Sequence, residues 1–176
     1  AAVDLAFVPV LAANLLTQLM KRPKPQQMIL LAILTVFWIA NLMVHFEWVG
    51  LTADTAWGGL RAGLLTLGTM IMVLGGRVTP GFTKNAMVQA GREDRLPLNP
   101  MPLSALAIAA ALTQPVGYLL GAPAAWLAPF ALIAGAAGLA RVALWRGFWT
   151  KDKPILWTLH LSYALNALGF LTLGLA

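Results

Sequence analysis

The two histidines, His45 and His160, are the residues of this 176-residue sequence best suited to ligate a metal or a heme iron. Neutral imidazole binds both iron and copper. The sequence has no cysteine, which excludes disulfides, thiolate ligands and cysteine-held iron–sulfur clusters. Both histidines fall in long apolar stretches, where an unsatisfied polar group is costly. We therefore interpret each as a heme or copper ligand, or as a side chain hydrogen-bonded within the protein.

Polar neighbours accompany each histidine at helical spacing. Asn41 precedes His45 by one helical turn, and Tyr163 follows His160 by about one turn. If the helices begin at Met28 and Pro154, His45 lies about 25 Å and His160 about 9 Å along its helix from the same side of the membrane. We therefore expect that the two do not ligate the same heme, and that any site with two histidine ligands would need its second histidine from missing sequence or another subunit.

Composition indicates the elements that position these residues. The chain is 60% hydrophobic and 10% charged, whereas soluble domains carry roughly 25% charged residues. Disordered chains are also rich in charge, so the composition excludes both a soluble globular domain and a disordered chain. A helix needs around 20 apolar residues to cross about 30 Å of hydrocarbon. The sequence predicts an all-α, polytopic transmembrane helix bundle, a single domain over 1–176, with six spans at about 1–20, 28–49, 57–76, 101–121, 123–145 and 154–176.

Lys and Arg alternate between successive loops. The loops 21–27, 77–100 and 146–153 carry them, whereas 50–56 and the turn at Ala122 carry none. Basic loops are retained on the cytoplasmic side, so we expect these three to be cytoplasmic. The net charge of +6 is thus interpreted as topological, and no nucleic acid is expected as a partner. Because both ends of the sequence are apolar, we expect a piece of a longer chain.

Other polar residues in the predicted spans support a second hypothesis. Asn41, Gln114, Tyr118 and Asn166 could line the pore of a cofactor-free transporter or permease segment. A third hypothesis is a scaffold protein that acts by binding partner helices. Near the outer side, Glu47 and Arg61 are expected to form an ion pair. No catalytic motif is present, so no catalytic residue is predicted.

The least generic segment, GGRVTPGFTKN, covers residues 75–85. Its two glycines let another backbone or side chain approach closely. Arg77 offers a rigid five-donor guanidinium that could hold a carboxylate, including a heme propionate, or a lipid phosphate. Pro80 is expected to end the helix. Thr83 and Asn85 are then expected to cap a following turn.

This segment resembles the GGRxxPxFTxN segment of the NnrS family, bacterial membrane proteins associated with nitric oxide stress and denitrification. The later runs RVALWRGFW and ILWTLHLSYALNALG also look similar, so the resemblance extends over the whole chain. The shared signature falls on residues Gly75, Gly76, Arg77, Pro80, Phe82, Thr83 and Asn85, and its LH..Y element on His160 and Tyr163.

The resemblance implies a multi-pass protein of the bacterial inner membrane, and this chain would be the central part of one. It implies bound heme, with copper as a further expectation, and nitric oxide or another small gas as the ligand. His160 and His45 are the candidate metal ligands, and Arg77 and Tyr163 are further candidates for contact with the cofactor. The lipid bilayer and the missing spans, or another subunit, are the expected partners.

Overall fold

A computed structural model describes residues 2–21 and 25–176. The described residues form α-helices and one short 3-10 turn, without strands, so the predicted all-α class is confirmed. The elements are α1 (Ala2–Lys21), α2 (Pro25–Trp48), α3 (Ala56–Gln89), α4 (Met101–Leu119), α5 (Ala124–Leu144), the 3-10 turn (Gly147–Thr150) and α6 (Pro154–Leu175).

Five of these helices, α2 to α6, are long and apolar enough to cross a membrane, and they indicate a membrane protein in a lipid bilayer. The prediction of six spans is one more than the described helices support. The apolar part of α1 runs from Leu5 to Met20, which is about 24 Å at 1.5 Å per residue and falls short of the hydrocarbon thickness. Arg22, Pro23 and Lys24, which belong to the first predicted basic loop, lie outside the described residues.

The chain forms two compact units, and α3 and α4 contribute to both. Unit 1 comprises Ala1–Leu67 and Gln114–Pro123, and unit 2 comprises Gly68–Thr113 and Ala124–Ala176. His45 belongs to unit 1, whereas Arg77, His160 and Tyr163 belong to unit 2.

Within unit 1, the predicted ion pair between Glu47 and Arg61 is replaced by other contacts. The Glu47 carboxylate accepts a hydrogen bond from the backbone N–H of Ala56 at 2.7 Å, which satisfies a donor in the first turn of α3. The Arg61 guanidinium lies over the rings of Trp57 and Tyr118, 4.8 Å and 5.9 Å from their centroids. Cation–π contacts with these two rings therefore hold Arg61, in place of the predicted ion pair with the Glu47 carboxylate.

Within unit 2, α3 continues through Pro80, contrary to the sequence prediction that it ends there. Proline has no N–H, so the carbonyl of Gly76, one turn earlier, receives no helical hydrogen bond from it. That carbonyl instead accepts from Asn99 Nδ2 at 3.0 Å and from Arg141 Nη2 at 2.9 Å. Because these side chains satisfy the carbonyl, the helix runs on to Gln89. Thr83 and Asn85 therefore lie inside α3 and do not cap a following turn.

Small residues bring α5 and α6 of unit 2 close together. A Cβ added to Gly135 would lie 2.7 Å from the carbonyl oxygen of Ala167, and one added to Gly174 would lie 2.8 Å from that of Ala128. Such contacts are typical of helices that pack tightly in lipid. This packing fixes the faces of α5 and α6 that carry Arg141 and His160.

Candidate functional site

A buried arginine organises the polar centre of unit 2. Arg141 on α5 is 1% exposed. Its Nη1 donates to the hydroxyl of Tyr163 at 2.5 Å and to the carbonyl of Met72 at 3.3 Å. Its Nη2 donates to the carbonyl of Gly76, and its Nε donates to Asn99 Oδ1 at 3.3 Å. These contacts tie α5 to α3, to α6 and to the segment before α4.

The glycine pair of the GGR motif makes room for this arginine and for Tyr163. A Cβ on Gly76 would lie 2.2 Å from Arg141 Nη2 and 2.7 Å from Nη1. A Cβ on Gly75 would lie 3.1 Å from Cδ2 of the Tyr163 ring. The pair is therefore required by close approach of side chains. Gly76 also carries the carbonyl freed by Pro80, so one residue supplies both the space and an acceptor.

His160 on α6 is 5% exposed, and its tautomer is assigned from a chain of hydrogen bonds. Thr83 Oγ1 donates its single proton to the carbonyl of Thr79 at 2.9 Å. That oxygen can therefore only accept from His160 Nε2, which lies 2.9 Å away. With the ring proton on Nε2, the lone pair is on Nδ1. Nδ1 is buried and has no hydrogen-bond partner among the described residues.

A groove of about 920 Å³ lies against His160, where α5 ends, the 3-10 turn follows and α6 begins. A Cβ on Gly147 would lie 3.2 Å from His160 Nδ1, so the absence of a side chain at Gly147 lets the turn pack closely against the imidazole. We call this space the aromatic–basic groove. It is lined by Val142, Ala143, Arg146, Gly147, Phe148, Trp149, Lys151, Trp157, His160, Leu161 and Ala164.

Trp145 joins the arginine cluster to His160. It is fully buried, and its ring centroid lies 4.6 Å from that of Tyr163 and 6.2 Å from that of His160. The Arg141 guanidinium lies 5.3 Å from the Trp145 ring centroid. The cluster therefore forms one wall behind His160 and restricts how the imidazole can move.

The sequence-predicted site residues are only partly brought together. His160 and Tyr163 are linked through Trp145. Arg77 is exposed on α3 and does not line the aromatic–basic groove. His45 lies in unit 1, where its Nδ1 donates to the carbonyl of Asn41 at 3.0 Å and its ring packs against Trp48. The carbonyl can only accept, so the lone pair of His45 is on Nε2.

Sequence reasoning missed Arg141, Trp145 and Arg146. Arg141 lies close to the end of a span, where an arginine usually extends to the membrane surface. One signal was present: Pro80 leaves an unpaired carbonyl at Gly76, which needs a donor from elsewhere. The sequence does not indicate which donor supplies it.

The residues of this site fit heme better than a protein-held copper ion. No group of three histidine, cysteine or carboxylate side chains that could hold a metal lies within the described ranges. The groove, in contrast, has the volume usual for ligand sites of about 300–1,000 Å³. It combines aromatic walls, two cationic side chains and an imidazole lone pair. That donor set suits a flat, apolar, anionic macrocycle with a central metal.

Comparisons with known proteins support one assignment. The family model described as NnrS protein matches residues 1–176, the whole of the chain. A search of curated proteins and a search of solved structures each found no match. With its apolar helices and the GGRVTPGFTKN segment on α3, the chain belongs to the NnrS family of membrane proteins.

Proposed function

We propose that this NnrS-family protein of the bacterial inner membrane binds heme in the aromatic–basic groove and takes part in the response to nitric oxide stress or in denitrification. The observation that carries the proposal is that His160 lines a groove of about 920 Å³, while its buried Nδ1 has no hydrogen-bond partner among the described residues. A buried acceptor left unsatisfied costs about 1–3 kcal/mol, which a bound ligand would offset.

Each part of the groove has a distinct task in this proposal. His160 would hold the iron through Nδ1 while its Nε2–H donates to Thr83, as metal-bound histidines commonly donate their second ring N–H. Trp149 and Trp157 line the groove with flat, largely apolar rings. When bound, heme would supply an iron centre able to take nitric oxide as a ligand. Tyr163, held by Arg141, supports the packing behind the imidazole through Trp145.

Copper remains a separate part of the proposal. Its candidate ligands are the two histidines, His160 and His45, because neutral imidazole binds copper. Neither histidine lies in a group of three metal-binding side chains among the described residues. Copper would therefore need donors from further spans or from another subunit.

Thr83→Val tests the orientation of the imidazole. Valine removes the acceptor of the Nε2 proton, so we expect lower heme content and a displaced Soret band. Thr83→Ser keeps the hydroxyl and should restore both. The measurement is the visible spectrum of the purified variants at equal protein concentration. Higher heme content in Thr83→Val than in wild type would contradict the account, since it would mean that Nε2 binds the iron and that Thr83 competes with it.

The proposal as a whole is tested by the heme content of the full-length protein purified in detergent. We expect bound heme by the pyridine hemochrome assay and a Soret band that co-elutes with the monodisperse protein. A folded protein that remains colourless after incubation with heme would overturn the proposal. That result would favour the cofactor-free transporter.

A further inference from the structure

We propose that Arg146 and Lys151 form a carboxylate clamp that makes the aromatic–basic groove selective for porphyrins with free propionates. This inference rests on the proposed function and adds to it the residues and the chemical groups that determine which ligand is accepted.

The lining of the groove is positively charged. Arg146 and Lys151 both line it, and no Asp or Glu is among its lining residues, all of which are described. The lining therefore has two positive charges without an acidic partner of its own. A ligand with two carboxylates complements that charge.

Arg146 gives the second step. Its Nε is buried and has no hydrogen-bond partner among the described residues. Its backbone has φ 62° and ψ 37°, a left-handed conformation that is uncommon for a residue other than glycine. This conformation turns the chain from the end of α5 into the 3-10 turn and brings Arg146 into the lining of the groove. A guanidinium at this position can hold a carboxylate through two parallel hydrogen bonds.

The aromatic side chains give the third step. Phe148 is 98% exposed and Trp157 is 39% exposed, and both line the groove with Trp149. Flat rings beside cations match a ligand with a broad apolar plane and anionic groups at one edge. Leu161 and Ala164 continue the apolar lining along α6. A porphyrin dicarboxylate has this combination of features, whereas its dimethyl ester retains the plane and loses the charge.

Arg77, the anchor predicted from the sequence, does not line the groove. The clamp therefore moves the expected propionate contact from α3 to the turn between α5 and α6. Lys153 is excluded from the clamp for a different reason, since it does not line the groove and its Nζ already lies 5.3 Å from the Trp149 ring centroid.

Metal-free protoporphyrin isolates the clamp, because it has the two carboxylates and lacks the iron that His160 would bind. We would titrate the full-length protein in detergent with protoporphyrin and with its dimethyl ester, following porphyrin fluorescence against empty micelles. Wild type should bind the free acid about tenfold or more tightly than the ester, as expected for charge-assisted hydrogen bonds. Arg146→Gln should remove most of that preference, Lys151→Gln a part of it, and the double variant all of it.

The matched control is Lys84→Gln, an exposed lysine on α3 outside the groove, which should keep the preference of wild type. Equal binding of acid and ester by wild type would overturn the clamp. A larger loss of the acid-to-ester preference in Arg77→Gln than in Arg146→Gln would also overturn it. Displacement of the porphyrin by phosphatidylglycerol at equal concentration would overturn it as well, because it would identify a lipid site.

The two proposals fail in different ways. If heme binds and His160→Ala abolishes its binding while the acid-to-ester preference is absent, the clamp is wrong and the proposed function stands. If neither heme nor protoporphyrin binds the folded protein, both are wrong.

Discussion

Gly76→Ala is expected to destabilise the protein more than any other glycine-to-alanine change in the GGRVTPGFTKN segment. The new Cβ would lie 2.2 Å from Arg141 Nη2 and 2.8 Å from Cζ, so the guanidinium would have to leave its position. Overpacking of this kind costs about 1–3 kcal/mol, and the hydrogen bonds of a charged group add about 1.5–3 kcal/mol. Thermal unfolding in detergent should therefore occur about 10 °C lower.

Gly81 and Gly75 provide matched controls on the same helix. Gly81 has nothing within 4 Å of an added Cβ, so Gly81→Ala should leave the unfolding temperature unchanged or slightly raise it. Gly75→Ala should give an intermediate loss, because its Cβ would lie 3.1 Å from the Tyr163 ring. In combination with Arg141→Ala, the Gly76 change should lose most of its effect. Equal unfolding temperatures for Gly76→Ala and Gly81→Ala would contradict the arginine cluster.

His160→Ala is expected to abolish most heme binding while the protein remains folded. The imidazole is the one histidine among the groove's described lining residues, and it lies at the end of the Thr83–Thr79 hydrogen-bond chain. Removing a buried side chain of this size leaves a cavity, so we also expect a loss of stability of about 2–4 kcal/mol. Heme content per protein and the elution profile separate the two effects.

His45→Ala is the matching variant in unit 1. It removes the other histidine of the chain and leaves the groove unchanged, so heme content should stay near that of wild type. If His45→Ala loses its heme and His160→Ala keeps it, the heme site lies in unit 1 and the aromatic–basic groove does not bind heme. Loss of heme in both variants would instead indicate that each histidine binds its own heme or that both contribute to heme retention.

The positions of the helices could be predicted from the sequence because the hydrocarbon core sets their length. The predicted span 154–176 corresponds to α6 (Pro154–Leu175), and 123–145 corresponds to α5 (Ala124–Leu144). Both are bounded by loops whose polar or turn-forming residues are visible in the sequence. For α1 the same reasoning predicted a membrane span, but the apolar part of that helix is too short to cross the hydrocarbon core.

Pro80 shows where local rules were insufficient. A proline ends a helix unless the carbonyl it leaves unpaired finds another donor. Here the donors are Asn99 and Arg141, which are 23 and 65 positions away from Gly76 in the chain. No local pattern indicates such partners. The role of Thr83 was missed for the same reason, because it depends on His160, 77 positions away.

The candidate site was predicted in part. His160 and Tyr163 were singled out by the cost of polar groups in apolar helices and by the resemblance, and the rings of both pack against Trp145. Arg146 was interpreted only as a positive charge that fixes topology. Its contribution to the groove depends on the left-handed backbone at that residue, and no feature of the sequence around it specifies that conformation.

The most direct test of the central claim is the absorption spectrum of the reduced, full-length protein during titration with nitric oxide. Wild type should have a Soret band that shifts with saturating behaviour as the gas is added. His160→Ala, at the same protein concentration, should have little or no such band. A monodisperse wild-type protein without a Soret band, or a shift of equal size in His160→Ala, would contradict the account.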